Sequence, residues 1–122
     1  MYIEIDFNSD EALYVQLCNQ IILGIATSRL KEGESLPSVR SLAENIGINM
    51  HTVNKAYSVL KQDGFVRVDR RRGVVVAVEA DRLRTVAVLK DYLRPIVAAG
   101  AAKGISRKGF LEIAAEVYDE LV

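Results

Sequence analysis

The side chains able to do chemistry in this sequence fall into three small groups, none with the makeup of a catalytic centre. The first is Asn49-Met50-His51-Thr52, with Asn54 and Lys55 one turn on. Asparagine and threonine hydrogen-bond base edges or phosphates, and methionine packs against a thymine methyl, so this run suits contact with duplex DNA. The second is Arg70-Arg71-Arg72-Gly73, a compact positive turn fitted to phosphates or a narrow minor groove. The third is Arg40, flanked by Ser38 and Ser41. The helix dipole disfavours a cation in a first helical turn, so Arg40 calls for a phosphate or guanine partner.

Each group also has a plain structural explanation. Asn49 is well placed to cap a helix, and an isolated arginine triplet at a turn is ordinarily just solvated. Arg40 can pair with Glu44 at i, i+4, although an exposed pair of that kind contributes only about 0.3–0.5 kcal/mol. It is the order of the surrounding elements that favours the DNA reading. The single histidine and single cysteine exclude a Ser/His/Asp set, a metal site and an intrachain disulfide. No cofactor motif is present, and Cys18 beside Leu17 reads as a packing residue.

The elements that must position these groups follow from periodicity. Residues 2–7 alternate weakly, as a short edge strand would. Ser9 or Asp10 is placed to cap a helix running to about Leu30, with acidic residues in its first turn and Leu13, Leu17, Ile21 and Ile25 on one face. Gly33 and Pro37 separate it from a second helix capped by Ser38 and stopped by Gly47. Asn49 opens a third helix, with Val53, Ala56, Tyr57 and Leu60 as its buried stripe. Asp63-Gly64 ends it, and residues 65–78 form a hairpin around the arginine turn. Helix, helix, turn, helix, hairpin is the winged helix-turn-helix order.

Beyond Glu79 two amphipathic helices follow. Pro95 is expected to kink or break the first, and Ser106 to cap the second. The fold expected is mostly α with a small β-hairpin: a winged helix-turn-helix over residues 1–79 and a two-helix dimerisation or effector tail over residues 80–122. The apolar faces of that tail exceed what one small domain covers, which argues for a homodimer over the alternative that both helices fold back on the first helix of their own chain.

Charge supports this division. The 122 residues carry 16 basic and 16 acidic side chains, a net charge of zero. Residues 1–34 hold two basic and six acidic, residues 35–78 seven and three, and residues 79–122 seven of each. The middle segment, which carries all three candidate groups, is locally cationic, and the local field governs phosphate binding. With no basic leader and no membrane-length apolar run, the expected compartment is the cytoplasm.

The blocks Leu13-Tyr14-Val15-Gln16-Leu17, Leu36-Pro37-Ser38-Val39-Arg40, Leu42-Ala43, Thr52-Val53, Ala56-Tyr57 and Gly64-Phe65-Val66, together with Arg72-Gly73, resemble the GntR family of bacterial repressors. The short two-helix tail resembles its YtrA-type branch. The resemblance implies DNA contacts from Arg40, from Asn49, His51, Thr52 and Asn54, and from Gly73. It also implies a homodimer on a palindromic operator and, for this branch, control of a transporter operon. Met50 departs from the pattern, standing where many members carry arginine. Base reading then falls to Arg40, Asn49, Thr52, Asn54 and the arginine turn. An effector is left unidentified. The competing reading is a winged-helix protein-interaction module without sequence-specific DNA binding, which the zero net charge would suit.

Overall fold

Two glutamines one helical turn apart organise the start of the chain. In the computed structural model, which describes residues 1–122, the first helix, α1, spans Leu13–Ala26. The Gln16 side chain accepts from the Asp6 amide at 2.9 Å and donates to the Asp6 and Glu11 carbonyls at 3.0 Å each. Gln20 repeats the pairing on Glu4, accepting from its N–H at 2.7 Å and donating to its carbonyl. The match is metric: four helical residues rise about 6 Å, and two extended residues advance about 6.6 Å. The expected edge strand over residues 2–7 does not form: side-chain amides take the backbone groups of Glu4 and Asp6, and a turn begins at Phe7. Ala12, not Ser9 or Asp10, occupies the cap position of α1, without a side-chain cap and with no acidic residue in the first turn. Ser9 closes a local turn instead, its hydroxyl accepting from Glu11 N–H at 3.1 Å. The helix also stops short of Leu30, because the chain turns at Ser28 in the left-handed region and brings Leu30 back over Gly24. A methyl at Gly24 would stand 3.0 Å from Leu30 Cδ1, so a larger residue there would push the Leu30 side chain aside.

The second and third helices, α2 (Val39–Ile46) and α3 (Met50–Gln62), are each set by a cap. Ser38 Oγ accepts from Ser41 N–H at 3.1 Å, and Asn49 Oδ1 accepts from His51 N–H at 2.7 Å. Between them Gly47 takes a left-handed φ of 71°, which ends α2 and makes the turn. Leu17 and Ile21 of α1 meet Leu42 and Ala43 of α2 and Val53, Ala56, Tyr57 and Leu60 of α3 in one buried core. Each aliphatic side chain fully buried there stabilises the fold by about 1.5–3 kcal/mol. The Tyr57 hydroxyl donates to the Pro37 carbonyl at 2.8 Å, which fixes where α2 begins relative to α3.

Strands β1 (Val66–Asp69) and β2 (Gly73–Val76) pair antiparallel, from Val66 opposite Val76 to Asp69 opposite Gly73. The segment 33–36, which reads in sequence as a separator, lies along the free edge of β2. Leu36 N–H donates to Val74 O at 2.8 Å, Val76 N–H to Glu34 O at 2.9 Å, and Gly33 N–H to Val76 O at 2.7 Å. The wing is thus tied to the loop before α2, and Val75 and Val76 are buried.

Residues Met1–Glu79 and Ala80–Val122 form two compact units. The second contains α4 (Arg82–Ala102), capped by Asp81, and α5 (Arg107–Leu121), capped by Ser106. Of the kink or break expected at Pro95, the break does not occur, and α4 continues through it. Proline removes the hydrogen bond to the carbonyl of its i−4 residue, Asp91, which is an exposed residue. No residue of α4 or α5 is buried.

Candidate nucleic-acid interface

The N-terminal turn of α3 stands open. Asn49, Met50, His51 and Asn54 line a shallow cleft together with Val39 of α2. A second cleft on the other flank is lined by Leu13, Tyr14, His51, Thr52 and Lys55, so His51 forms the ridge between the two. The buried face of α3 makes this possible. Val53, Ala56, Tyr57 and Leu60 point into the core and turn Met50, His51, Asn54 and Lys55 outward.

Capping restricts what Asn49 can offer. Its side-chain oxygen accepts from His51 N–H, so its free hydrogen-bonding group is the NH2, a donor. The Asn54 side chain makes no hydrogen bond within the protein and keeps both donor and acceptor, the combination that reads adenine. Met50 is 45% exposed, a free apolar tip among polar ones. Thr52 is half-buried against α1, and Lys55 sits with its ammonium over the ring of Tyr14. Tyr14 therefore borders the surface, a part that sequence periodicity does not show because the residue lies on another helix.

Arg40 is exposed in the first turn of α2 and makes no ion pair. The alternative pairing with Glu44 does not form, so the charge that the helix dipole disfavours is left free for an outside partner. Ser38, beside it, has its oxygen engaged as the cap and its hydroxyl proton free.

The arginine turn divides its charges unequally. Arg70 and Arg71 are exposed with no side-chain partner, while the Arg72 guanidinium donates to the Gly33 carbonyl. Gly73 follows with φ of 75°, a backbone conformation that a side chain would strain. Asp69 Oδ1 accepts from the N–H groups of Arg71 and Arg72 at 2.8 and 3.1 Å. Those two bonds, aided by the charges of Arg67 and Arg72, hold the Asp69 carboxyl below its ordinary pKa. Sequence reading misses Asp69, although an aspartate opening a turn is a recognisable signal.

Two buried titratable groups, Cys18 and Tyr57, belong to the core. Burial pushes the Cys18 thiol up, with Asp63 adding to the effect, and the thiol donates to the Ala56 carbonyl at 3.5 Å. Burial likewise raises the Tyr57 phenol, whose proton is held by Pro37. No three His, Cys, Asp or Glu side chains gather into a possible metal site. No helix is long and apolar enough to cross a membrane.

A helix-turn-helix with an exposed polar helix start, a free arginine on the preceding helix and an arginine-tipped hairpin defines a winged helix-turn-helix DNA-binding domain. Residues 13–76 match the family described as bacterial regulatory proteins, gntR family, and the chain belongs to that family. Among its relatives, the HTH-type transcriptional repressor YtrA of Bacillus subtilis (strain 168) is 32% identical over 98 residues, 78% of this chain and 75% of that protein. The solved structure of YtrA from Sulfolobus acidocaldarius, a GntR-family transcription factor, is 36% identical with a TM-score of 0.59, covering 98% of each chain. A transcriptional antiterminator from Listeria monocytogenes EGD-e superposes with a TM-score of 0.87 over 99% of this chain and 92% of that one. Its 24% identity makes it a match of fold alone. The chain is a DNA-binding transcription regulator of the YtrA type.

Proposed function

We propose that this regulator is a cytoplasmic repressor that binds a palindromic operator as a homodimer. The observation that carries the reading is the open start of α3, bordered on α2 by Val39, whose neighbour in the chain is the exposed and unpaired Arg40. Arg40, Asn49, Met50, His51, Thr52 and Asn54 form the base-reading set, with Ser38 and Lys55 at its margins. Arg70 and Arg71 grip phosphate, and Arg72 and Gly73 hold the wing in shape. Because Met50 is apolar and Asn49 offers a donor, the operator is read by short polar side chains with a contribution from Arg40.

The tail supports the dimer. Leu89, Leu93, Ile96, Ile113, Val117 and Leu121 are large apolar side chains left exposed on α4 and α5. A second copy of the chain would cover them, and two-fold symmetry would set two reading helices on half-sites about one helical turn of DNA apart. The proposed target is a transporter operon, as the YtrA-type resemblance implies. An effector would bind within the dimer interface.

Selection of genomic fragments by the purified full chain tests the reading, with sedimentation of the free protein alongside. A recovered palindrome and a dimeric mass are expected. Recovery of no preferred sequence would instead favour the protein-interaction module.

A further inference from the structure

We propose that Asp69 is a positioning residue of the wing, holding the backbone of the arginine turn so that Arg70 and Arg71 face the DNA. The inference rests on the reading that those two arginines contact phosphate. An acidic residue at the base of a phosphate-binding turn opposes the field that the turn exists to make, so its presence needs a separate cause. The geometry supplies one. Asp69 closes the hairpin opposite Gly73, and only Arg70, Arg71 and Arg72 lie between them. Its Oδ1 accepts from two successive backbone N–H groups, at Arg71 and at Arg72. Gly73, with φ of 75°, then supplies the left-handed residue with which a three-residue hairpin loop rejoins its strand.

The four arginines of the wing sort themselves around this brace. Arg67 Nη1 lies 3.7 Å from Asp69 Oδ2, and the Arg72 guanidinium donates to Gly33 O, so both have a partner within the protein. Arg70 and Arg71 have no internal partner and stand on the turn that the carboxylate holds. The Arg67 pair is long and exposed, which makes it a weak anchor. The two backbone bonds are therefore what fixes the turn. The arrangement trades one unit of positive field for a fixed backbone beneath two long side chains. A loose turn would lose that backbone entropy on binding.

Two substitutions of equal charge separate position from field. Asp69→Asn keeps an oxygen that can accept both N–H bonds, and Asp69→Ala keeps none. Binding of each full-length variant to a short mixed-sequence duplex is measured across a salt series, with the double variant Arg70→Ala/Arg71→Ala alongside. Asp69→Asn should bind about twofold to fivefold tighter than the parent, since a nearby negative charge is gone. Asp69→Ala should bind about threefold to tenfold more weakly than Asp69→Asn. Its log–log salt slope should be shallower by about 0.9 for each phosphate that the wing no longer neutralises. A change confined to stability would move melting without moving that slope. If the double variant loses affinity and slope while the alanine and asparagine variants bind alike, the positioning role is overturned and the wing reading stands. If the double variant binds as the parent does, the phosphate reading of the wing fails and the positioning role fails with it.

Discussion

The ammonium of Lys55, on α3, lies 4.0 Å above the ring centroid of Tyr14, on α1. The contact joins two helices whose buried faces already meet in the core. It holds a positive charge at the edge of the cleft lined by Leu13, His51 and Thr52. An exposed cation–π contact contributes about 0.5–1 kcal/mol. A double-mutant cycle with Tyr14→Leu and Lys55→Met, followed by urea unfolding, should return a coupling of that size. A coupling of zero would show that the two side chains act independently.

Arg40 has no partner within the protein, so its removal should leave stability alone and weaken binding. Arg40→Ala is expected to melt with the parent. Its affinity for the selected operator should fall by about 1–3 kcal/mol, the range of an arginine–guanine pair. Fluorescence anisotropy and a thermal melt read the two quantities separately. An equal loss on unrelated duplexes would identify Arg40 as a phosphate contact.

Gln16 is only 8% exposed, and its amide makes three bonds to the backbone of residues 6 and 11. Gln16→Ala should destabilise the first unit by about 1–3 kcal/mol, because the Asp6 and Glu11 groups lose partners. Gln16→Glu should be worse than its near-identical shape suggests, since a carboxylate cannot donate to the two carbonyls. Denaturation midpoints for the pair provide the check, and a neutral result for the glutamate would dismiss the strap as a stabilising element.

The protonation state of Asp69 gives a pH signature. Its folded pKa is depressed, first by the N–H groups of Arg71 and Arg72. The brace is therefore fully present above the ordinary aspartate value of 3.8 and is lost as pH falls through the lower folded value. Amide shifts of Arg71 and Arg72 should hold constant from neutral into mildly acidic solution and move together only in strong acid. Movement near neutral pH would contradict the hydrogen bonds assigned to that carboxylate.

Cys18 titrates in the opposite direction. Its thiol is raised by burial, so little thiolate exists at neutral pH. A disulfide-exchange reagent should label the folded protein slowly, at a rate that follows unfolding, and the denatured chain at once. Rapid labelling of the native protein would mean that the helix pair opens readily there.

Much of the head was legible in the sequence because its signals are local. Ser38, Gly47 and Asn49 mark helix ends through their own hydrogen-bonding and φ preferences, and the stripe Val53, Ala56, Tyr57, Leu60 repeats at the helical period. The arginine turn declared itself between two apolar runs. Pairings across the chain were not legible. Gln16 and Gln20 look like surface residues until residues 4 and 6 lie alongside them, and the 33–36 edge reads as a spacer until β2 is present. Pro95 failed as a breaker because the rule supposes a costly orphaned carbonyl, whereas Asp91 is an exposed residue.

By itself, then, the sequence determined the order of elements, the three groups of candidate side chains and the cationic middle segment. These depend on residue type and on spacing within a few residues, where propensity and periodicity act. Only the tertiary structure decided which charges are free. It ties Arg72 to Gly33, sets Lys55 over Tyr14, braces the wing through Asp69 and leaves Arg40, Arg70 and Arg71 open. The reason is physical: a side chain's availability depends on what the fold brings within about 3–4 Å of it. For Arg72 that neighbour is 39 residues away in the chain.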